Sequence, residues 1–137
     1  MRPLQALFAA LLTLVLALPA PAQAARDTNS YDGNIFALYA GDGALVPPSV
    51  SLADALAAER PVLLAFFLDD SAASKAFAPL LSHLSGRWGK VVELIALPSD
   101  PYRVDPNAAT GDPSHYWRGT VPQLQVHNSE AEVLLDV

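Results

Sequence analysis

Outside its first two dozen residues, the chain's longest unbroken apolar run is residues 62–68, Val-Leu-Leu-Ala-Phe-Phe-Leu. A run this short, rich in Val, Leu and Phe, suits a strand buried on both faces. Asp69, Asp70 and Ser71 follow, three side chains able to accept hydrogen bonds from the free N–H groups of a helix start. Residues 72–84 then change period: Phe77, Leu80, Leu81 and Leu84 fall at i, i+3, i+4 and i+7, one stripe of a helix. Ser85-Gly86 reads as its end, with Gly86 supplying a left-handed cap. A buried strand running into a capped helix aims N–H groups and a positive dipole end at one point, where a βαβ protein usually keeps its site.

The flanking pattern is weaker. Residues 34–40 (Asn-Ile-Phe-Ala-Leu-Tyr-Ala) read as a first strand, with Ile35, Ala37 and Tyr39 on one face and Phe36, Leu38 and Ala40 on the other. Gly41-Asp42-Gly43 turns the chain, and Val46-Pro47-Pro48 is extended, because a residue before proline avoids the helical region. Ser51 with Asp54 three residues on opens a helix over 52–59, striped by Leu52, Ala55 and Leu56. Residues 91–97 form another apolar strand. From 98 to 118, Pro98, Pro101, Pro106 and Pro113 lie among Asp, Asn and Gly, so a long irregular loop is expected, with one turn near 114–117. Residues 123–127 and 132–137 read as a hairpin about Asn128-Ser129-Glu130-Ala131. Val133, Leu135 and Val137 on one side and Leu134 on the other suggest that the last strand is buried on both faces. The whole is an α/β pattern with a mixed sheet of four or five strands.

A chain of 137 residues makes one domain, and it has no cysteine. Disulfides, thiolate nucleophiles and cysteine metal sites are therefore excluded, as is thiol–disulfide exchange. Residues 1–24 have the form of a targeting segment: Arg2, an apolar stretch over 6–18 interrupted only by Thr13, and the A-x-A motif Ala22-Gln23-Ala24. Thirteen residues are short for a bilayer span, which needs about 20. A cleaved export signal is favoured over an uncleaved membrane anchor; residues 25–33 then form a linker and 34–137 the domain. Without Arg2 the balance is 7 basic to 14 acidic residues, a net of −7. With no basic patch, nucleic acid is not an expected partner.

Candidate chemistry is sparse. Ser71 and Ser74 sit where a nucleophile would, but serine needs a base and an oxyanion hole. No motif brings His83, His115 or His127 to Ser71, and His83 lies three turns along the same helix. Capping is the better reading, so no catalytic residue is assigned. Asp69, Asp70 and His115 could be drawn as a metal cluster, yet adjacent strand residues point apart. A solvated acidic pair is favoured, and neither metal nor cofactor is expected. Tyr102, Tyr116 and Trp117, with Arg103 and Arg118, make the proline-rich loop aromatic: either local packing or an interaction surface.

The segment from Pro61 onward resembles the active-site strand and helix of the thioredoxin fold. Asp70-Ser71-Ala72-Ala73-Ser74-Lys75 stands at the family's W-C-G-P-C-K positions, and Ala78-Pro79-Leu80-Leu81 at its A-P-x-L positions. Gly119-Thr120-Val121-Pro122 is similar to the segment that carries the family's cis-proline. Both redox cysteines are replaced, by Ser71 and Ser74, and Ala65 stands where the family has a buried acid. The resemblance implies a groove between Asp70, Ser71 and Ser74 on one side and Val121 and Pro122 on the other. Such a groove would bind an extended polypeptide without reacting with it, with Tyr116 and Trp117 as further contacts. It also implies a last helix after the hairpin, which this sequence lacks; a partner or membrane would cover that face, or the chain is a shortened version of a longer protein. Asn34-Ile35-Phe36-Ala37-Leu38-Tyr39-Ala40-Gly41 followed by Leu45-Val46-Pro47-Pro48 resembles the cyanobacterial thylakoid-membrane photosystem I accumulation factors. That family implies an exported, non-enzymatic, membrane-associated factor of the thylakoid, met by photosystem I subunits or their assembly machinery. A redox-inactive periplasmic adaptor or chaperone for extended polypeptides is the alternative.

Overall fold

The computed structural model describes residues 2–16 and 26–137; the expected cleavage motif at Ala22-Gln23-Ala24 lies outside them. Helix α1 spans Arg2–Leu16, and its Leu4, Leu7, Phe8, Leu11, Leu12 and Leu14 are exposed. No described helix is long and apolar enough to cross a membrane.

Four strands form one mixed sheet: β1 (Val62–Phe67), β2 (Glu93–Pro98), β3 (Gln123–His127) and β4 (Val133–Asp136), in the order β2-β1-β3-β4. β1 pairs parallel with β2 and antiparallel with β3, and β4 returns antiparallel to β3. The parallel pair needs a crossover, which is helix α4 (Ala72–Trp88). With α2 (Ile35–Tyr39) and α3 (Leu52–Ala57) flanking it, this is a mixed α/β fold consistent with a thioredoxin-like arrangement. All six residues of β1 are buried, as its unbroken apolar run predicts.

Alternate residues of β1 face different coverings. Ala65 and Phe67 pack with Ala78 and Leu81 of α4 and with Ile35 and Phe36 of α2. Val62, Leu64 and Phe66 pack with Leu52 and Ala55 of α3 and with Tyr116 and Trp117 of the irregular segment between β2 and β3. That segment holds one short 3-10 turn, Pro113–His115, capped by Asp112. Aromatic rings take the place of a helix there. Phe66 meets Trp117 at 5.0 Å and Tyr102 at 5.7 Å between ring centroids.

Besides the last strand, whose Val133, Leu134 and Leu135 are exposed rather than buried on both faces, two expectations need correction. Residues 34–40 do not form a strand; Ile35–Tyr39 is helical, with Asn34 Oδ1 accepting from the N–H groups of Phe36 and Ala37. Ile35 and Phe36 are neighbours and both fully buried. A strand would turn one of them outward, whereas a helix sets them about 100° apart on one face. The second correction is the end of α4, which passes through Gly86 to Trp88. Gly89 caps it with its N–H on the Ser85 carbonyl. Ser51 caps α3 through the Asp54 N–H as read, and α3 stops at Ala57.

Candidate functional site: the β1–α4 junction

The junction is closed by hydrogen bonds from its own residues. Ser71 is the N-cap of α4, and its Oγ accepts from the Ser74 N–H at 3.2 Å. Ser74 is fully buried, and its Oγ accepts from the Leu68 N–H at 3.1 Å, tying helix to strand end. Both hydroxyls thus satisfy backbone donors, as a cap requires. Asp69 Oδ1 accepts from the Ile35 N–H at 3.1 Å, which docks α2 on the end of β1. Asp70 is exposed.

Sequence reasoning missed the partner of this junction, the segment before α2. Asn29 Oδ1 accepts from the Ala72 N–H at 2.9 Å, satisfying another free donor of α4. Lys75, fully buried, donates to the Thr28 carbonyl (2.9 Å), the Ser30 carbonyl (2.7 Å) and Asp32 Oδ2 (2.7 Å). A buried ammonium is tolerated only with such partners. Tyr39 Oη also donates to Asp32, at 3.0 Å. The Lys75 hydrogen bond holds the Asp32 carboxyl below its ordinary range, against a smaller desolvation penalty. Burial, then the Asp32 hydrogen bond, raises the Tyr39 phenol. The residues read as a linker are therefore strapped across the helix start. A lysine in the first turn of the helix, among Ala72, Ala73, Ser74 and Ala76, was the available signal.

The second half of the expected groove lies at the same end of the sheet. Phe66 is opposite Gln123 in the antiparallel register, which carries Pro122 to the level of Phe67, where β1 leaves for α4. The Val121–Pro122 peptide is cis, as the resemblance implied. Both residues are half-buried. Tyr116 and Trp117 stand differently: only 8% and 9% exposed, they pack their rings inward against His127 and Phe66. Local packing, one of the two readings of the aromatic loop, accounts for these two rings. Tyr102 is half-buried, and Arg103 and Arg118 are exposed. His83 is exposed on α4, and His115 Nδ1 donates to the Ala108 carbonyl at 2.8 Å. Among the described residues no three His, Asp or Glu side chains gather.

A row of polar side chains holds the aromatic loop down. Gln123, Gln125 and His127, at period two on β3, are all buried. Gln123 donates to the Tyr116 carbonyl at 2.7 Å and accepts from the Arg118 N–H at 3.0 Å. Gln125 donates to Asp136 Oδ2 at 2.8 Å, and Asp136 is also ion-paired with Arg118. His127 Nε2 donates to Gln125 Oε1 at 3.1 Å, while its Nδ1 has no partner. Burial lowers the His127 pKa, partly opposed by Asp136. The folded state thus disfavours the charged imidazolium relative to the unfolded chain.

No family model matches the chain. The chain is similar to a cyanobacterial thylakoid membrane protein. It is 34% identical over 113 residues to thylakoid membrane protein slr1796 of Synechocystis sp.. That alignment takes in 82% of this chain and 56% of the relative, so the chain spans little more than half of the relative's length.

Proposed function

We propose that this protein is a non-catalytic, thioredoxin-like factor of the thylakoid membrane that supports photosystem I assembly by binding protein. The observation that carries the reading is the chemistry of the β1–α4 junction. The two positions that resemble redox cysteines are Ser71 and Ser74, and both hydroxyls already accept from backbone N–H groups. Neither has a histidine base in hydrogen-bond reach, so neither is activated for attack. What is left is a surface: exposed Asp70, the edge of Ser71, and half-buried Val121 and Pro122 one strand away. A surface of this kind is suited to an extended segment of a partner. The similarity to a thylakoid membrane protein supports the location, and the exposed apolar side chains of α1 suit a membrane-facing start.

Deleting the gene in a cyanobacterium that carries it tests the proposal. Loss of photosystem I with unchanged photosystem II is the expected result, restored by the wild-type gene. An unchanged ratio of the two photosystems would remove the assembly role and leave a redox-inactive adaptor. An activity of the purified protein that vanishes in Ser71→Ala would overturn the non-catalytic reading.

A further inference from the structure

We infer that His127 is a pH-sensitive fastener: a proton taken up at its Nδ1 loosens the aromatic segment, residues 99–118, from β3 while β1 and α4 stay folded. Gln125 sets the tautomer. Its Nε2 donates to Asp136 Oδ2 at 2.8 Å and to the Tyr116 carbonyl at 3.4 Å. That leaves Oε1 for His127, and a carboxamide oxygen only accepts. His127 Nε2, 3.1 Å away, therefore carries the hydrogen, and Nδ1 is the basic nitrogen. Nδ1 is enclosed without a partner among the described residues, in a side chain that is 0% exposed. A proton there makes a buried N–H with no acceptor and adds a buried charge, both costly.

The surrounding groups offer that charge little. The Tyr116 ring meets the imidazole at 4.7 Å between centroids, and the His115 ring meets Tyr116 at 4.8 Å. On the strands beside it, β1 places Val62 opposite His127 and β4 places Val133. Arg60, two residues before Val62, is paired with Glu93 at 3.0 Å. α3 packs on this face of the sheet through Leu52 and Ala55, while Asp54 and Glu59 are exposed. Asp136 is an opposing charge, but it is already engaged by Arg118 and Gln125. Burial accordingly outweighs Asp136, and the His127 pKa is lowered.

The aromatic segment is the cover that can yield. Its regular structure is the 3-10 turn Pro113–His115, so its backbone leans on β3. Gln123 and Gln125 hold the Tyr116 carbonyl, and Gln123 also holds the Arg118 N–H. Lifting Tyr116 breaks these bonds together and admits water to Nδ1. β1, by contrast, is bonded along both edges, and α4 satisfies its own backbone. Segments with few regular bonds open at lower free energy than core strands. The open form binds a proton at the ordinary imidazole value of about 6.5, the closed form more weakly. Between that value and the folded one, the open population rises by up to about tenfold per pH unit. Opening uncovers Leu64 and Phe66 and leaves the Ser71 cap in place, so the inference goes beyond the proposed function.

Amide exchange of the full chain from about pH 8 to 5, each rate divided by its intrinsic value at that pH, tests the fastener. The probes are the N–H groups of Trp117 and Arg118, bonded to the Pro113 carbonyl and Gln123 Oε1, against those of residues 63–66 in β1. Trp117 and Arg118 should be at least about tenfold less protected than β1 throughout, and should lose up to about tenfold per pH unit below about 6.5. His127→Gln should flatten that loss, and His115→Gln should leave it intact. Histidine-ring NMR of the wild-type chain needs no variant: it should show hydrogen on His127 Nε2 at neutral pH and a midpoint below about 6.5. Equal protection of the segment and β1 would mean that the segment leaves only with the whole fold, and overturns the inference. So does a pH response that survives His127→Gln, or a wild-type midpoint at or above the ordinary value. The photosystem ratio in a deletion strain does not enter these readouts, so the two ideas fail separately.

Discussion

The two faces of β1 are covered by different means, and the difference explains what the protein can afford to change. On one face, small residues (Ala65, Ala78, Ala96) let α2 and α4 pack close, with Phe36 edge-on to Phe67 at 4.9 Å. On the other, an irregular segment with four prolines covers the strand by lodging three aromatic rings and tying its backbone to buried glutamines. Helices satisfy their own N–H and C=O groups; a loop has none of that economy and must borrow partners from the sheet. Gln123, Gln125 and His127 are those partners. The loop face therefore rests on polar groups that must all be matched, and one of them, His127 Nδ1, has no partner.

The sharpest way to break this contrast is to remove one ring from each side. Phe66→Ala and Phe67→Ala each delete a fully buried phenyl group and should each cost about 3–5 kcal/mol in denaturant unfolding. Their local consequences should differ. Phe66→Ala removes the ring on which Tyr102 and Trp117 lean, so limited proteolysis should cut within residues 99–118. Phe67→Ala should instead loosen α2 and leave that loop resistant. Cleavage of the loop in both variants would mean that the two faces are not independent.

Legibility in the sequence follows the same divide. β1, the cap at Ser71, the start of α4 and the β3–β4 hairpin show themselves through period and turn chemistry, because each is a local rule. Ile35–Tyr39 misleads because five apolar residues match alternation and helix equally well; the deciding signal was Asn34, a good cap. The loop cover was read only as irregular and aromatic, since no period says where a ring will lodge. At the site, Ser71, Ser74, Val121 and Pro122 were legible through a motif. Lys75, Asn29 and Asp32 were not, because the contact spans more than forty residues of sequence.

The strap at the helix start sharpens the comparison from the other side, since it is polar cover on the helical face. Lys75→Met keeps the stem and removes the ammonium, leaving the Thr28 and Ser30 carbonyls without their donor. Hydrogen bonds to charged groups contribute about 1.5–3 kcal/mol, and a loss of about 2 kcal/mol is expected, with early cleavage near residues 28–32. Acid should act in the same direction. Asp32 has a lowered folded pKa, so its contribution is full above the ordinary carboxylate value of about 4 and lost as pH falls through the folded one. Detachment of the strap below about pH 4, followed by amide exchange of Ala72, is the expected observation.

His127 gives a smaller effect in a nearer pH window. Its folded pKa lies below the ordinary value of about 6.5, so the unfolded chain takes up a proton first as pH falls. Stability is full above about 6.5 and declines below it, by at most about 1.4 kcal/mol per pH unit for one group. His127→Gln should flatten that decline. A slope unchanged in the variant would assign it to other groups.

The smallest expected effect bears most directly on function. If Ser71 is a cap and nothing more, Ser71→Ala should cost about 1 kcal/mol, and Ser71→Asp, which accepts the same N–H, should cost less than half of that. Ser74→Ala should also cost about 1 kcal/mol, for the bond to Leu68. These losses should appear in the unfolding midpoint alone, because each hydroxyl acts here by accepting a backbone N–H. A Ser71→Ala protein with wild-type stability and impaired photosystem I accumulation would show the opposite: that the hydroxyl leaves its cap to meet a partner. Ser71→Asp then decides between the two, since it preserves the cap while changing what a partner would touch.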